Sequence, residues 1–348
     1  ALTLTASPQA SPQAFGRTGP SIDVAKTSSF VARRAKLMDL HKDGVIVIPS
    51  QFKGRNGAMT DNLNFVYLTG LKEADATLIL DPGGSPRETI FRRSSGGPAG
   101  GSMGYPGTAG IPGPGGNPEK AADRETAETG QGLAEKPNTQ LTQTLLGLAR
   151  SGRAERVFLP FSDFDFLTRA FSGVNPLAQA GSLLTADPTL AEMRLTKDAE
   201  EIAALREAID LTAEALKEAF RAAEPKMREV DLAAILRYAF DRRETEDSFL
   251  QAASGPNSTN VHFGATTRLL AAGDLVVFDV GCWVRGYTSD ISRTIPASGR
   301  FTREQREIYA LVLEAEKEGI RRLVPGATFK AAQTAAEDVL MAGLVKLG

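Results

Sequence analysis

The sequence predicts an α+β chain in two parts, and three observations predict it. Short β-branched runs alternate with amphipathic stretches over residues 29–186, the pattern of an α/β layer domain. From residue 187 the composition shifts to long apolar periodicities of three and four, the mark of helices. Inside this second part, LVVFDVGCWVRGYTSDISRTIP (275–296) reads as two strands about a short turn and carries two aspartates, Asp279 and Asp290.

The elements follow in order. Residues 1–28 are expected to be a disordered leader rich in Ala, Pro and Ser; ALTLTASPQASPQA (1–14) has as its alternative reading the tail of a secretory signal, though no basic segment precedes it. The expected compartment is therefore cytoplasmic, or outside it if those residues are a signal remnant. SFVARRAKLMDLH (29–41) has apolar positions at helical spacing, and Asp43-Gly44 stops it. Strands are expected at Val45–Ile48, Phe65–Thr69, Thr77–Leu80 and Glu88–Arg92, the last two joined as a hairpin by Pro82-Gly83-Gly84-Ser85-Pro86. A Gly/Pro-rich insert (96–135) follows, with glycines at 101, 104, 107, 110, 113 and 116 in period three. That is the collagen register, too short for a stable triple helix, and a mobile surface loop is expected instead. A helix at 138–150, a strand at 156–159 and a helix near 163–171 complete the α/β domain.

Asp187–Arg194 is the expected seam, and the second domain is read as 187–348. A long helix is expected from a Thr196 cap through Ala222, burying Ile202, Leu205, Ile209, Ala213, Leu216 and Phe220, with Pro225 beyond its end. A second helix spans about Val230–Arg242, and two more follow the hairpin, near Thr302–Leu323 and Thr328–Leu347.

Composition excludes several classes of function. The 348 residues suffice for two domains, and 42% hydrophobic with 24% charged residues is ordinary for a globular protein. A net charge of -2 gives no electrostatic case for nucleic acid. No apolar run approaches the roughly 20 residues of a membrane span. One cysteine, Cys282, rules out an internal disulfide framework and a cysteine zinc site, and two histidines, His41 and His262, cannot build a histidine-rich one.

The hairpin is the chemical feature. Folded about the Val284–Arg285 bond, it sets Asp279 directly opposite Asp290 on one face, with Cβ atoms about 4.5–5.5 Å apart. Two carboxylates that close need a compensating cation, and oxygen donors suit a divalent ion or two ions sharing a carboxylate. The plain alternative is a pair of solvated aspartates; the apolar run before Asp279 favours the site. Upstream, the Gly255-Pro256-Asn257 turn delivers His262, which either faces a cleft or is merely satisfied in its loop.

ASGPNSTNVHF (253–263) followed by DLVVFDVGCWVRGYTSDISRTIPASGRFT (274–302) resembles the Xaa-Pro aminopeptidases and prolidases, the pita-bread metallopeptidases. MRLTKDAEEIAALREA resembles the helix that opens their catalytic domain, and RRAKLM with NFVYLTGLKEADATLIL resembles the amino-terminal domain of aminopeptidase P, a creatinase-like domain. The resemblance covers roughly 30–348 apart from the insert. It implies a creatinase-like α/β domain followed by the first half of a pita-bread catalytic domain. It implies further that Asp279 and Asp290 are metal ligands, Asp290 bridging two ions, and that His262 lines the substrate pocket. The implied cofactors are two divalent ions, manganese first, with cobalt or zinc as alternatives. The implied substrates are short peptides with proline second, cleaved before the proline, and the full-length protein is expected to be a homo-oligomer. In that family a glutamate serves as general base and a histidine stabilises the tetrahedral intermediate.

The chain departs from the pattern at one point: no histidine follows His262, and the glutamates after Asp290 lack the family's flanking motif. The implied ligand set is therefore incomplete, no catalytic residue is assigned within the chain, and the chain alone is expected to be inactive. We read this as a chain stopping before the family's remaining ligands; the alternative is a catalytically inactive pita-bread binding domain. A scaffold role for the collagen-like insert and a metal-free creatinase-like hydrolysis are further alternatives, the latter disfavoured by the retained aspartates.

Overall fold

The computed structural model describes residues 28–53, 59–93, 133–160 and 182–348. The leader, the insert at 96–117 and the helix expected near 163–171 lie outside the described residues. Two compact units divide after Thr196. The fold class is α+β.

In the first unit the described residues form helix α1 (Ser28–Leu40), strands β1 (Val45–Pro49), β2 (Gln51–Lys53) and β3 (Met59–Asp61), and helix α2 (Leu63–Thr69). Strands β4 (Thr77–Leu80), β5 (Glu88–Arg92) and β6 (Ala134–Pro137), helix α3 (Leu141–Arg150), strands β7 (Arg156–Leu159) and β8 (Ser182–Thr185), and helix α4 (Asp187–Leu195) follow. The main sheet runs β6-β5-β4-β1-β7-β8, with β4 antiparallel to β1 and β5, and parallel pairs β1–β7, β5–β6 and β7–β8. β1 is buried along its whole length because it has helices on both faces. Ile46 and Ile48 pack with α1, α2 and α4, whereas Val45 and Val47 pack with α3. This is why the strand reads as an unbroken apolar run. Arg34 is enclosed between them, donating to Glu88 Oε2 at 2.8 Å and to Leu68 O at 2.9 Å.

Phe65–Thr69, expected as a strand, is helix α2. The Asn62 side chain accepts from Asn64 N, and Gly70 ends the helix in the left-handed region at φ 67. These caps outweigh the strand preference of the residues between them, and the i, i+3 pair Phe65 and Leu68 meets the core. The polar run to Glu135, expected as loop, ends in edge strand β6 (Ala134–Pro137), paired to β5. Within the expected seam, Asp187–Leu195 is a helix that buries Leu190 and Met193 in the first unit's core.

The second unit contains helices α5 (Ala199–Ala222) and α6 (Glu229–Asp241), strands β9 (Asp247–Ser254), β10 (Leu275–Val284), β11 (Tyr287–Thr288) and β12 (Ile291–Pro296), and helices α7 (Arg303–Arg322) and α8 (Phe329–Leu347). β10 is the centre of the sheet, antiparallel to β9 along one edge and to β12 and then β11 along the other. Its alternate residues Val276, Phe278, Val280, Cys282 and Val284 enter a core with α5 and α6. The intervening residues, Asp279 among them, therefore rise from the opposite face.

The long helix differs from expectation in cap and in face. Asp198 rather than Thr196 caps it, in a reciprocal box with Glu201. The buried stripe is Ala204, Ala208, Thr212, Ala215, Leu216 and Ala219, while Ile202 and Ile209 are 41% and 45% exposed. Small side chains let the helix lie close on the sheet, so the alanines face inward and the larger isoleucines fall outside. Among the described residues, no helix is long and apolar enough to cross a membrane.

Candidate metal centre

The turn between β10 and β11 decides where the aspartates meet. Arg285 (φ 49) and Gly286 (φ 82) are its two central residues, both left-handed, as in a type I′ hairpin. Val284 consequently pairs with Tyr287, and the whole register moves by two residues from the expected one. Asp279 stands opposite Ser292, not Asp290. The expected fold about the Val284–Arg285 bond is thus corrected: the turn needs two residues with φ > 0 between the strands, and a register centred on that bond leaves it none.

A slip of two preserves the face. Asp290 follows Ser289 in the gap between β11 and β12. Ser289 points to the helices: its Oγ lies 2.7 Å from Thr212 Oγ1 and accepts from Cys282 N at 3.2 Å. Its neighbour Asp290 is thereby turned to the other side, where it is the diagonal neighbour of Asp279. Gly281 makes this approach possible, because a Cβ there would lie 2.1 Å from Ser289 O.

The two carboxylates interact directly. The Asp290 carboxyl has its pKa raised above the ordinary aspartate value, first by loss of hydration, then by the Asp279 charge and by a hydrogen bond shared with Asp279. Asp279 is further fixed by Ser292 Oγ–H, which donates to its Oδ1 at 2.7 Å.

His262 lies on an exposed turn at φ 58, after a short 3-10 segment, Gly255–Thr259. Two groups absent from the sequence reading hold this loop. Glu229, fully buried at the start of α6, accepts from Ser254 N and Oγ (both 2.7 Å), from Thr266 N (3.0 Å) and Oγ1 (2.6 Å), and from Asn257 Nδ2 (3.1 Å). Gln251, which pairs with Asp279 across β9 and β10, bonds the backbone of Asn260 and Phe263. Opposed residues share a face, so the His262 turn is held against the face that carries the aspartates. Asp279, Asp290 and the His262 turn are thus brought together on one side of the sheet. Neither Glu229 nor Gln251 had a signal in the sequence: one reads as an ordinary first-turn acid, the other as a strand glutamine. Among the described residues no group of three or more His, Cys, Asp and Glu side chains is placed to hold one ion. The donors present fit one side of a divalent-ion site, through oxygen.

The central strand β10 is thus backed by two helices on one face and carries Asp279 on the other, with Asp290 beside it. Residues 203–347, which lie within the second unit, match the family model of metallopeptidase family M24. The chain is 37% identical over 163 residues to the Xaa-Pro aminopeptidase of Escherichia coli (strain K12), covering 46% of this chain and 37% of that relative. It is 30% identical over 173 residues to the mitochondrial intermediate cleaving peptidase 55 of Arabidopsis thaliana, 49% of this chain and 35% of the relative. The chain thus spans well under half the length of these curated relatives. The solved structure of Pseudomonas aeruginosa aminopeptidase PepP superposes with a TM-score of 0.74 at 27% identity over 92% of this chain and 73% of that one. Proline aminopeptidase P II from Yersinia pestis gives 0.74 at 26%, over 92% and 74%. The fold is that of aminopeptidase P.

Proposed function

We propose that the chain carries part of the metal site of an Xaa-Pro aminopeptidase, which hydrolyses the peptide bond between an N-terminal residue and proline in short peptides. The observation that carries this reading is the strand register, which makes Asp279 and Asp290 diagonal neighbours on the sheet face away from α5 and α6. Asp279 and Asp290 would hold a divalent ion through oxygen donors, a set that suits manganese, with cobalt or zinc as alternatives; the fuller form of the proposal is a pair of such ions. Bound there, the ion supplies Lewis-acid polarisation of the scissile carbonyl. The chain's own residues prepare that step. Ser292 keeps Asp279 in one orientation, Asp290 stands beside it on the same face, and His262 would border the space a peptide occupies. The substrate class is carried over from relatives that bear the name Xaa-Pro aminopeptidase.

The test is release of the first residue from a short Xaa-Pro peptide by the natural protein with added manganese. Asp290→Asn is expected to cut turnover by roughly 100-fold or more, the scale seen when metal affinity is impaired. Turnover that is indifferent to Asp290→Asn sinks the proposal. A second reading, a binding domain without catalysis, draws on the lack of a third ligand near the pair among the described residues. Manganese binding without turnover would favour it.

A further inference from the structure

Gln251 sits directly across from Asp279 in the β9–β10 pair, so the two side chains rise from one face with Cβ atoms about 4.5–5.5 Å apart. The glutamine is 7% exposed, and its amide is spent on backbone. Nε2–H donates to Asn260 O at 3.3 Å, and Oε1 accepts from Phe263 N at 3.1 Å. Those two groups bracket Val261 and His262. His262 holds φ 58, a left-handed conformation that a non-glycine residue keeps only when its surroundings impose it. Glu229 anchors the base of this loop at Ser254, Asn257 and Thr266, and makes no bond to its tip at 260–263. Asn260 N–H is also tied to Asn257 O at 3.1 Å, so the bond that closes the tip on its far side, at Phe263, is the glutamine's.

We infer that Gln251 is a positioning residue: its amide bridges the two backbone groups flanking His262 and thereby fixes the imidazole turn beside Asp279. The inference rests on the proposed function in one respect, that the aspartate face is where the ion and the peptide meet. Asn260 is exposed and Phe263 half-buried, so water replaces both bonds in Gln251→Ala and the fold is retained.

Two NMR measurements on wild-type chain and Gln251→Ala test it. The first needs no metal. Exchange of the Phe263 amide is expected to accelerate roughly tenfold in the variant, as for a locally released segment, with the urea midpoint of the second unit little changed. Unaltered exchange overturns the inference. The second uses manganese alone as probe and the His262 ring signals, assigned by their loss in His262→Gln. Manganese is expected to broaden these signals in wild type and several-fold less in Gln251→Ala, while equilibrium dialysis shows the same manganese uptake by both. Equal broadening in the two proteins overturns the inference, as does a wild-type chain that binds manganese with His262 unaffected. If neither wild type nor Asp290→Asn takes up manganese, the proposed function fails instead, and the exchange measurement still decides the role of Gln251.

Discussion

At the scale of the residue, the site is governed by how two like charges are held. Asp290 has its carboxyl pKa raised, by loss of hydration first and by Asp279 second. The sign of the consequence is fixed by linkage. The folded chain binds this proton more tightly than the unfolded chain, so stability rises as pH falls from the raised value toward the ordinary carboxylate range. Above the raised value the Asp290 charge is repelled by that of Asp279. Asp290→Asn is therefore expected to be more stable than wild type at neutral pH without metal, by no more than about 1 kcal/mol because the pair faces water. The difference should vanish in acid. Urea titrations of both proteins across the acid range check this, and a variant less stable than wild type at neutral pH would contradict it. That a carboxylate pair existed was legible in the sequence. Which residue stood opposite which was not, because a turn with two left-handed residues moves every pairing by two without changing the face.

At the scale of the element, the loop from Ser254 to Thr266 is organised around a single buried carboxylate. Burial would push the Glu229 pKa up; its hydrogen bonds from Thr266 and Ser254 outweigh that and hold it below the usual range. A depressed carboxyl contributes stability that is present at neutral pH and lost as pH falls through its folded value. Glu229→Ala leaves the backbone donors of buried Ser254 and half-buried Thr266 unpaired, and we expect a loss of about 2–4 kcal/mol in urea unfolding at pH 7. A loss under about 0.5 kcal/mol would mean that water takes over the role of the carboxylate. Much at this scale could be read from the chain: α6, α7 and α8 fall within a residue or two of the expected limits. The errors have physical causes. Phe65–Thr69 is β-prone yet helical because Asn62 and Gly70 cap it. Helix α5 shows its alanines to the sheet although its isoleucines are larger. Amphipathic spacing points to those isoleucines, whereas close helix–sheet approach selects small side chains.

At the scale of the whole molecule, each unit has a core of its own. The first closes around both faces of β1, and the second around α5, α6 and the helix-facing side of β10. Leu78 is fully buried in the first core, and Leu78→Ala is expected to cost about 2–5 kcal/mol there. Differential scanning calorimetry should show one transition shifted down and the other within error of wild type. A uniform shift of all the heat absorption would show that the two cores melt as one. The family match at 203–347 falls wholly within the second unit, so the chemistry proposed above and the core that supports it belong to the same unit.

The two aspartates are mounted differently, and this has a mechanical consequence. Asp279 is riveted into a strand with ladder bonds on both edges, whereas Asp290 hangs in a two-residue gap between short strands. The pair works like a vice with one fixed and one sliding jaw. A divalent ion at the pair would meet a fixed oxygen from Asp279 and an adjustable one from Asp290.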